Sequence, residues 1–304
     1  MCIRMKLLAL VLLLSAFPSL TLTEVVRSFP QACPSFFMLN PQKQNVHIIP
    51  TIFTGHQYKK ICQRWNNKYR FATVYDTERR IPVYSAYTFT QQANTTRNED
   101  WKIEPQLENT KGNKSMEDSP REAFGHITHQ AVNQDYISQL NRGYTRGHVF
   151  PRFFAADQAQ ADSTFTLTNI APQTQDNNGR WGEQVEQPML QEIKNECKLD
   201  QNNLAYIVTG VVPGNDWIPI ERDNVRSNNG INIPSNFWSA FCCRNKTNIK
   251  QLISGAYIAE QGAIKARHPS IENLNERLTT EYRKSQSLKK SESFSVFPGL
   301  TFKP

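Results

Sequence analysis

Tyr144-Thr145-Arg146-Gly147-His148-Val149-Phe150-Pro151, then Thr168-Asn169-Ile170-Ala171-Pro172-Gln173 with Asn178, Trp181 and Glu186 downstream, is the stretch that decides the fold of this chain. Phe165 to Ile170 alternates apolar and polar residues and reads as a strand ending at Pro172. Trp181, Val185, Met189 and Ile193 recur every four residues, so residues 178–198 read as a helix opened by Asn178. Pro188 lacks the amide hydrogen of an interior turn, which predicts a kink or a split into two helices.

The polar residues of this stretch form a coherent chemical set. His148 is a candidate general base, because imidazole titrates near neutral pH. Gly147 before it is expected to let a phosphate or water come close. Arg146 can donate a fork of hydrogen bonds to phosphate oxygens. Asn178 offers a neutral hard oxygen suited to Mg²⁺. Asn178, Gly182 and Glu186 fall on one helix face, with Glu186 placed to hold a metal-bound water. Taken singly, each has a plainer reading: a solvated histidine, a surface arginine, a helix-capping asparagine.

Working outward, residues 70–88 read as two strands around a turn at Asp76 to Arg79. Residues 89–120 read as a long polar loop anchored by Trp101, Ile103 and Leu107. Residues 206–212 form an apolar run that fits a strand buried on both faces, and 236–243 and 251–259 read as further strands. Leu274, Leu278 and Tyr282 lie at helical spacing. The basic, serine-rich stretch 283–293 reads as solvated. The result is an α+β class with a mixed sheet, helices and long loops. No linker or repeat divides residues 24–304, so one domain is expected.

Arg4 and Lys6 precede an apolar run from Leu7 to Phe17, too short for a membrane span, so residues 1–23 read as a secretory signal peptide. Its removal lowers the net charge from +8 to +6, a basic excess compatible with a polyanion partner. No later run is long enough to cross a membrane, so no stable membrane association is expected. Cys33, Cys62, Cys197, Cys242 and Cys243 remain, an odd number. Cys33 is expected to pair with Cys62, and Cys197 with Cys242 or Cys243. Asn94, Asn113 and Asn245 each head a glycosylation sequon.

The stretch 144–186 closely resembles the DNA/RNA non-specific endonucleases, which include endonuclease G-like and Serratia-type enzymes. That resemblance implies the ββα-metal (His-Me finger) nuclease fold and Mg²⁺-dependent hydrolysis of DNA and RNA, with Mn²⁺ as a substitute. It implies His148 as general base, Asn178 as the protein ligand of the metal, and Arg146 and Glu186 in support. Trp101-Lys102-Ile103-Glu104-Pro105-Gln106-Leu107 resembles another family stretch, which points to Arg97 as a second arginine. The wider chain resembles the secreted vertebrate endonuclease domain-containing 1-like proteins over most of residues 30–300, implying an extracellular location. One departure stands out. Thr145 replaces the family's usual Asp, so a rival reading is a secreted binding protein with weakened chemistry. Val149-Phe150-Pro151 is also bulkier than usual and is expected to narrow access.

Overall fold

The computed structural model describes residues 24–302 apart from Gln44, with the side chains of residues 263–265 also set aside. The signal peptide expected in residues 1–23 lies outside the described residues. An eight-stranded sheet runs through the molecule in the order β1-β2-β3-β4-β9-β10-β11-β12. Its strands are β1 (Val25–Val26), β2 (Tyr58–Trp65), β3 (Lys68–Asp76), β4 (Ile81–Phe89), β9 (Ala205–Arg222), β10 (Val225–Arg244), β11 (Leu252–Glu260) and β12 (Ala263–Arg267). Two small ribbons complete the strands: β5 (Lys102–Ile103) with β6 (Glu117–Asp118), and β7 (Tyr144–His148) with β8 (Ile170–Thr174). The strand ladders are antiparallel, and a parallel bridge joins Lys102 to Thr166. The helices are α1 (Phe29–Ala32), α2 (Pro105–Glu108), α3 (Asn133–Ile137), α4 (Gln158–Ser163), α5 (Gln175–Trp181), α6 (Gln187–Glu196) and α7 (Ile271–Lys284).

The expected turn at Asp76 is present, and Asp76 Oδ1 accepts from the amides of Glu78 and Arg79, both at 3.0 Å. Trp101, Ile103 and Leu107 anchor their loop by burial, as expected. The strand expected over 165–170 is displaced. Leu167–Asn169 is a 3-10 turn, and β8 runs through Pro172 instead of stopping there. Pro172 is tolerated because β8 belongs to a two-stranded ribbon, where an edge needs no amide hydrogen at that position. The stretch 283–293 is only partly solvated, since Ser287 and Leu288 are buried.

The large sheet carries a core on each face, because side chains alternate along every strand. Tyr87 and Phe89 of β4 and Phe237 and Phe241 of β10 face the core shared with Trp181, Val185, Met189 and Ile193. Tyr84 and Ala86, with Trp238 and Ala240, face the core closed by Leu274, Leu278 and Tyr282 of α7. This two-sided burial accounts for the continuous apolar run at 206–212. It also decides the cysteines. Cys33 bonds Cys62, as expected, and Cys197 at the end of α6 bonds Cys243, which points to the same face. Cys242 points to the other face, free and buried, 3.6 Å from Met38 Sδ.

Under the β7–β8 ribbon the sheet holds a buried polar chain. Glu104 Oε1 accepts from Thr166 Oγ1 at 3.0 Å, and Gln63 Nε2 donates to Thr168 Oγ1 at 2.9 Å. Glu104 pairs with Glu24, and burial pushes both carboxyls up, Glu104 to about 7. A carboxyl raised in the fold stabilises it fully below the unfolded value and loses that contribution as pH climbs through the folded one. Glu104→Gln keeps the hydrogen-bonding shape without the proton. We expect wild type to lose roughly 2–3 kcal/mol relative to Glu104→Gln between pH 4.5 and 7. Denaturant melts of both proteins across that window check this; parallel curves would refute it.

Candidate active site

The β7–β8 register sets Thr145 opposite Gln173 and His148 opposite Ile170. A Cβ on Gly147 would lie 2.5 Å from Gln173 Oε1 and 3.0 Å from the Ala171 carbonyl. Gly147 is therefore required by the approach of its partner strand, not by room for a phosphate. The helix opens earlier than expected. Thr174 is the N-cap, its Oγ1 accepting from the Asn177 amide at 3.3 Å, so Asn178 sits inside α5 and is not a cap.

Two aromatic walls shape one half of the site. The His148 ring lies 5.7 Å from Trp101 and 4.8 Å, edge-on, from Phe165. Arg97 lies over Phe165 at 5.5 Å, and Arg146 lies over Trp101 at 4.9 Å and Tyr136 at 5.5 Å. Arg146 Nη2 donates to Asn133 Oδ1 at 2.6 Å, while its buried Nε has no partner. The His148 ring is half-buried, but its Nε2 is out of contact with solvent and unpartnered. Burial, then the charges of Arg97 and Arg152, push the imidazole down to about 3; a hydrogen bond with the Arg146 main chain opposes them. The imidazole is therefore neutral at physiological pH.

The helix supplies the other half. Thr145 Oγ1 donates to the Gln173 carbonyl at 2.8 Å, so toward Asn178 it can only accept. It accepts from Asn178 Nδ2 at 3.4 Å, which turns Asn178 Oδ1 away from it. A Cβ on Gly182 would stand 3.7 Å from Glu186 Oε2, so the carboxylate lies over this glycine. The spacing survives because α5, a π-turn at Gly182–Glu186 and α6 form one continuous right-handed run. Pro188 falls in the first turn of α6, where the wider π-turn absorbs the missing hydrogen bond without a break. Burial pushes the Glu186 carboxyl up to about 8, and the Trp181 indole opposes this weakly, its N–H lacking a partner at normal length.

The expected site residues thus fall into an imidazole–guanidinium cluster (His148, Arg146, Arg97) and a helix face (Asn178, Glu186), joined by the strand from Thr145 to His148. Three further residues support them. Asn133 holds Arg146, Arg152 faces His148 electrostatically, and Asn169 clamps the chain after His148. Arg152 sits four residues past His148 and was visible as a cation beside the motif. Asn133 carries no local signal, because only the fold brings α3 to β7. Val149 and Phe150 do not narrow access, since both point into the core, with Phe150 stacked on Tyr87 at 4.0 Å.

The family model for DNA/RNA non-specific endonucleases matches residues 52–291. The chain belongs to this family. It is 33% identical over 198 residues to the human Endonuclease domain-containing 1 protein, covering 64% of this chain and 36% of that protein. The mouse protein of the same name is 30% identical over the same spans. The match therefore spans little more than a third of these relatives' length. A crystal structure of an EndoG/EndoGI complex aligns with a TM-score of 0.45 and 17% identity over 74% of this chain and 84% of that one.

Within this family member, Thr145 ties Asn178 to the ribbon. Thr145→Val removes both of its hydrogen bonds and should lower unfolding stability by roughly 1–2 kcal/mol, whereas Thr145→Ser should stay near wild type. Chemical denaturation midpoints decide it; equal loss in both variants would place the cause in packing.

Proposed function

We propose that this chain is a secreted endonuclease that uses Mg²⁺, or Mn²⁺ in its place, to hydrolyse phosphodiester bonds of DNA and RNA with little sequence preference. The observation that carries this reading is the neutral, unpartnered Nε2 of His148 between aromatic walls and beside guanidinium groups. Membership of the nuclease family and two disulfides support it. Among the described residues no helix is long and apolar enough to cross a membrane.

His148 Nε2 accepts a proton from water while the water oxygen bonds to phosphorus and the bridging oxygen departs. Burial opposes the imidazolium so formed, and the negative phosphate offsets that cost. Arg146 and Arg97 neutralise the phosphate oxygens. The donor set fits a hard cation: Asn178 Oδ1 is turned away from Thr145, Gly182 leaves room, and Glu186 adds a carboxyl group that burial keeps protonated and that a bound cation would favour as carboxylate. When bound, the cation would supply charge neutralisation for the phosphate and the leaving oxygen. Glu186 orients water on the helix face.

Plasmid and RNA degradation by the purified protein tests this. EDTA should abolish cleavage and Mg²⁺ restore it. His148→Ala should lower the rate by about 10²–10⁴-fold, and Asn178→Ala should raise the Mg²⁺ concentration required. Full cleavage in EDTA would sink the metal assignment.

One feature favours a second reading, a binding protein with weakened chemistry: a hydroxyl stands at Thr145, where the resemblance to the family's motif implies Asp. Thr145→Asp keeps an acceptor for Asn178 and should raise plasmid cleavage about 10–100-fold, still requiring Mg²⁺. Wild type and Thr145→Asp that are both folded and inert would establish the second reading.

A further inference from the structure

We propose that Asn94 carries an N-linked glycan beside the His148 site, and that this glycan limits access of duplex nucleic acid more than of single strands. The inference rests on the nuclease reading for its consequence and on passage through a disulfide-forming secretory compartment for the modification.

Three sequons are present, and Asn94 is the one closest in sequence to a residue of the site. Asn94 is exposed, and Arg97 follows three residues later, a span of at most roughly 10 Å. Arg97 lies over Phe165, whose ring touches His148. The intervening chain is tethered. The Ala93 amide donates to the Ala155 carbonyl at 3.0 Å, and the Thr96 amide to Gln158 Oε1 at 2.9 Å. Arg152 Nη1 donates to the Thr95 carbonyl at 2.8 Å and to its hydroxyl at 2.9 Å. That same Arg152 charge is felt by His148. The backbone that presents Asn94 is thus fixed close to the arginines. The other sequons sit elsewhere: Ser115 bonds Arg64 at the end of β2, and Asn245 follows the Cys197–Cys243 bridge.

Attachment requires a lipid diphosphate-linked oligosaccharide donor and the secretory transferase. Asn94 Nδ2 bonds to the sugar C1, the C1–oxygen bond to the lipid diphosphate breaks, and Nδ2 loses a proton as the lipid diphosphate leaves. The branched oligosaccharide adds bulk beside the site. A rigid duplex needs a broad open face around the site, whereas a single strand can bend past an obstacle.

The test uses the full chain secreted from mammalian cells. Peptide mapping after glycosidase treatment reads Asn94 occupancy. Binding of a duplex and of a single strand of one sequence is then measured for His148→Ala protein, with and without Asn94→Gln. Because this readout needs no cleavage, it stands apart from the nuclease test. We expect Asn94 to be occupied, and Asn94→Gln to tighten duplex binding several-fold with single-strand binding unchanged. An unoccupied Asn94, an unchanged ratio, or no binding of either strand form would overturn the proposal. Native glycosidase treatment should reproduce the Asn94→Gln shift; failure to do so would assign that shift to the substitution and overturn it too.

Discussion

Asn169 is the constraint on which the site depends. It is fully buried, and every polar atom it owns is used. Its carbonyl accepts from the Val149 amide and its Oδ1 from the Phe150 amide, both at 2.9 Å. Its Nδ2 donates to the Phe150 and Thr164 carbonyls, at 3.1 and 3.0 Å. Ser85 Oγ donates to Oδ1 at 2.9 Å and ties the clamp to β4. A buried polar group satisfied in this way tolerates one arrangement, because any other leaves an unpaired amide in a low-dielectric interior. The chain leaving His148 is therefore set by the sheet beneath it.

From that clamp the chemistry is assembled by packing. Phe165 and Trp101 exclude water from one side of His148, and the guanidinium groups of Arg97 and Arg146 lie on the same two rings. Stacking suits a guanidinium better than an ammonium, being planar and weakly hydrated. The result is a neutral imidazole amid positive charge, the setting that the proposed attack on a phosphodiester requires. Asn133 extends the same logic through α3. Asp135 of that helix makes a buried ion pair with Arg222 of β9, with Asp135 Oδ2 at 2.5 Å from Arg222 Nη2. Breaking such a pair leaves a lone buried charge, so the platform under Arg146 is firmly attached.

Much of this was legible in the sequence. The apolar positions Trp181, Val185, Met189 and Ile193 marked the helix that carries Asn178 and Glu186. The run at 206–212 marked the centre of the sheet, and Asp76 its hairpin turn. Arg146, His148, Asn178 and Glu186 were nameable because their types and spacing follow from a strand-then-helix unit. The misreadings were local. Pro172 looked like a stop, yet an edge ribbon accommodates it, a context not written in nearby residues, whereas the split expected at Pro188 is met by a π-turn that separates α5 from α6. Gly147 looked like space for substrate, but the missing side chain makes space for Gln173.

The sequence by itself determined the α+β class, the helix and strand periodicities, and the set of reactive side chains. These depend on residue type and on intervals of two or four positions, which any reader of the chain can count. Only the tertiary structure decided which neighbours those side chains meet. Cys243 rather than Cys242 reaches Cys197 because adjacent strand residues point to opposite faces and α6 covers one of them. Arg97, Asn133 and Arg152 are brought to the β7–β8 ribbon by separate loops and a helix. Such contacts arise from burying two faces of one sheet at once, a condition on the whole chain that no local stretch encodes.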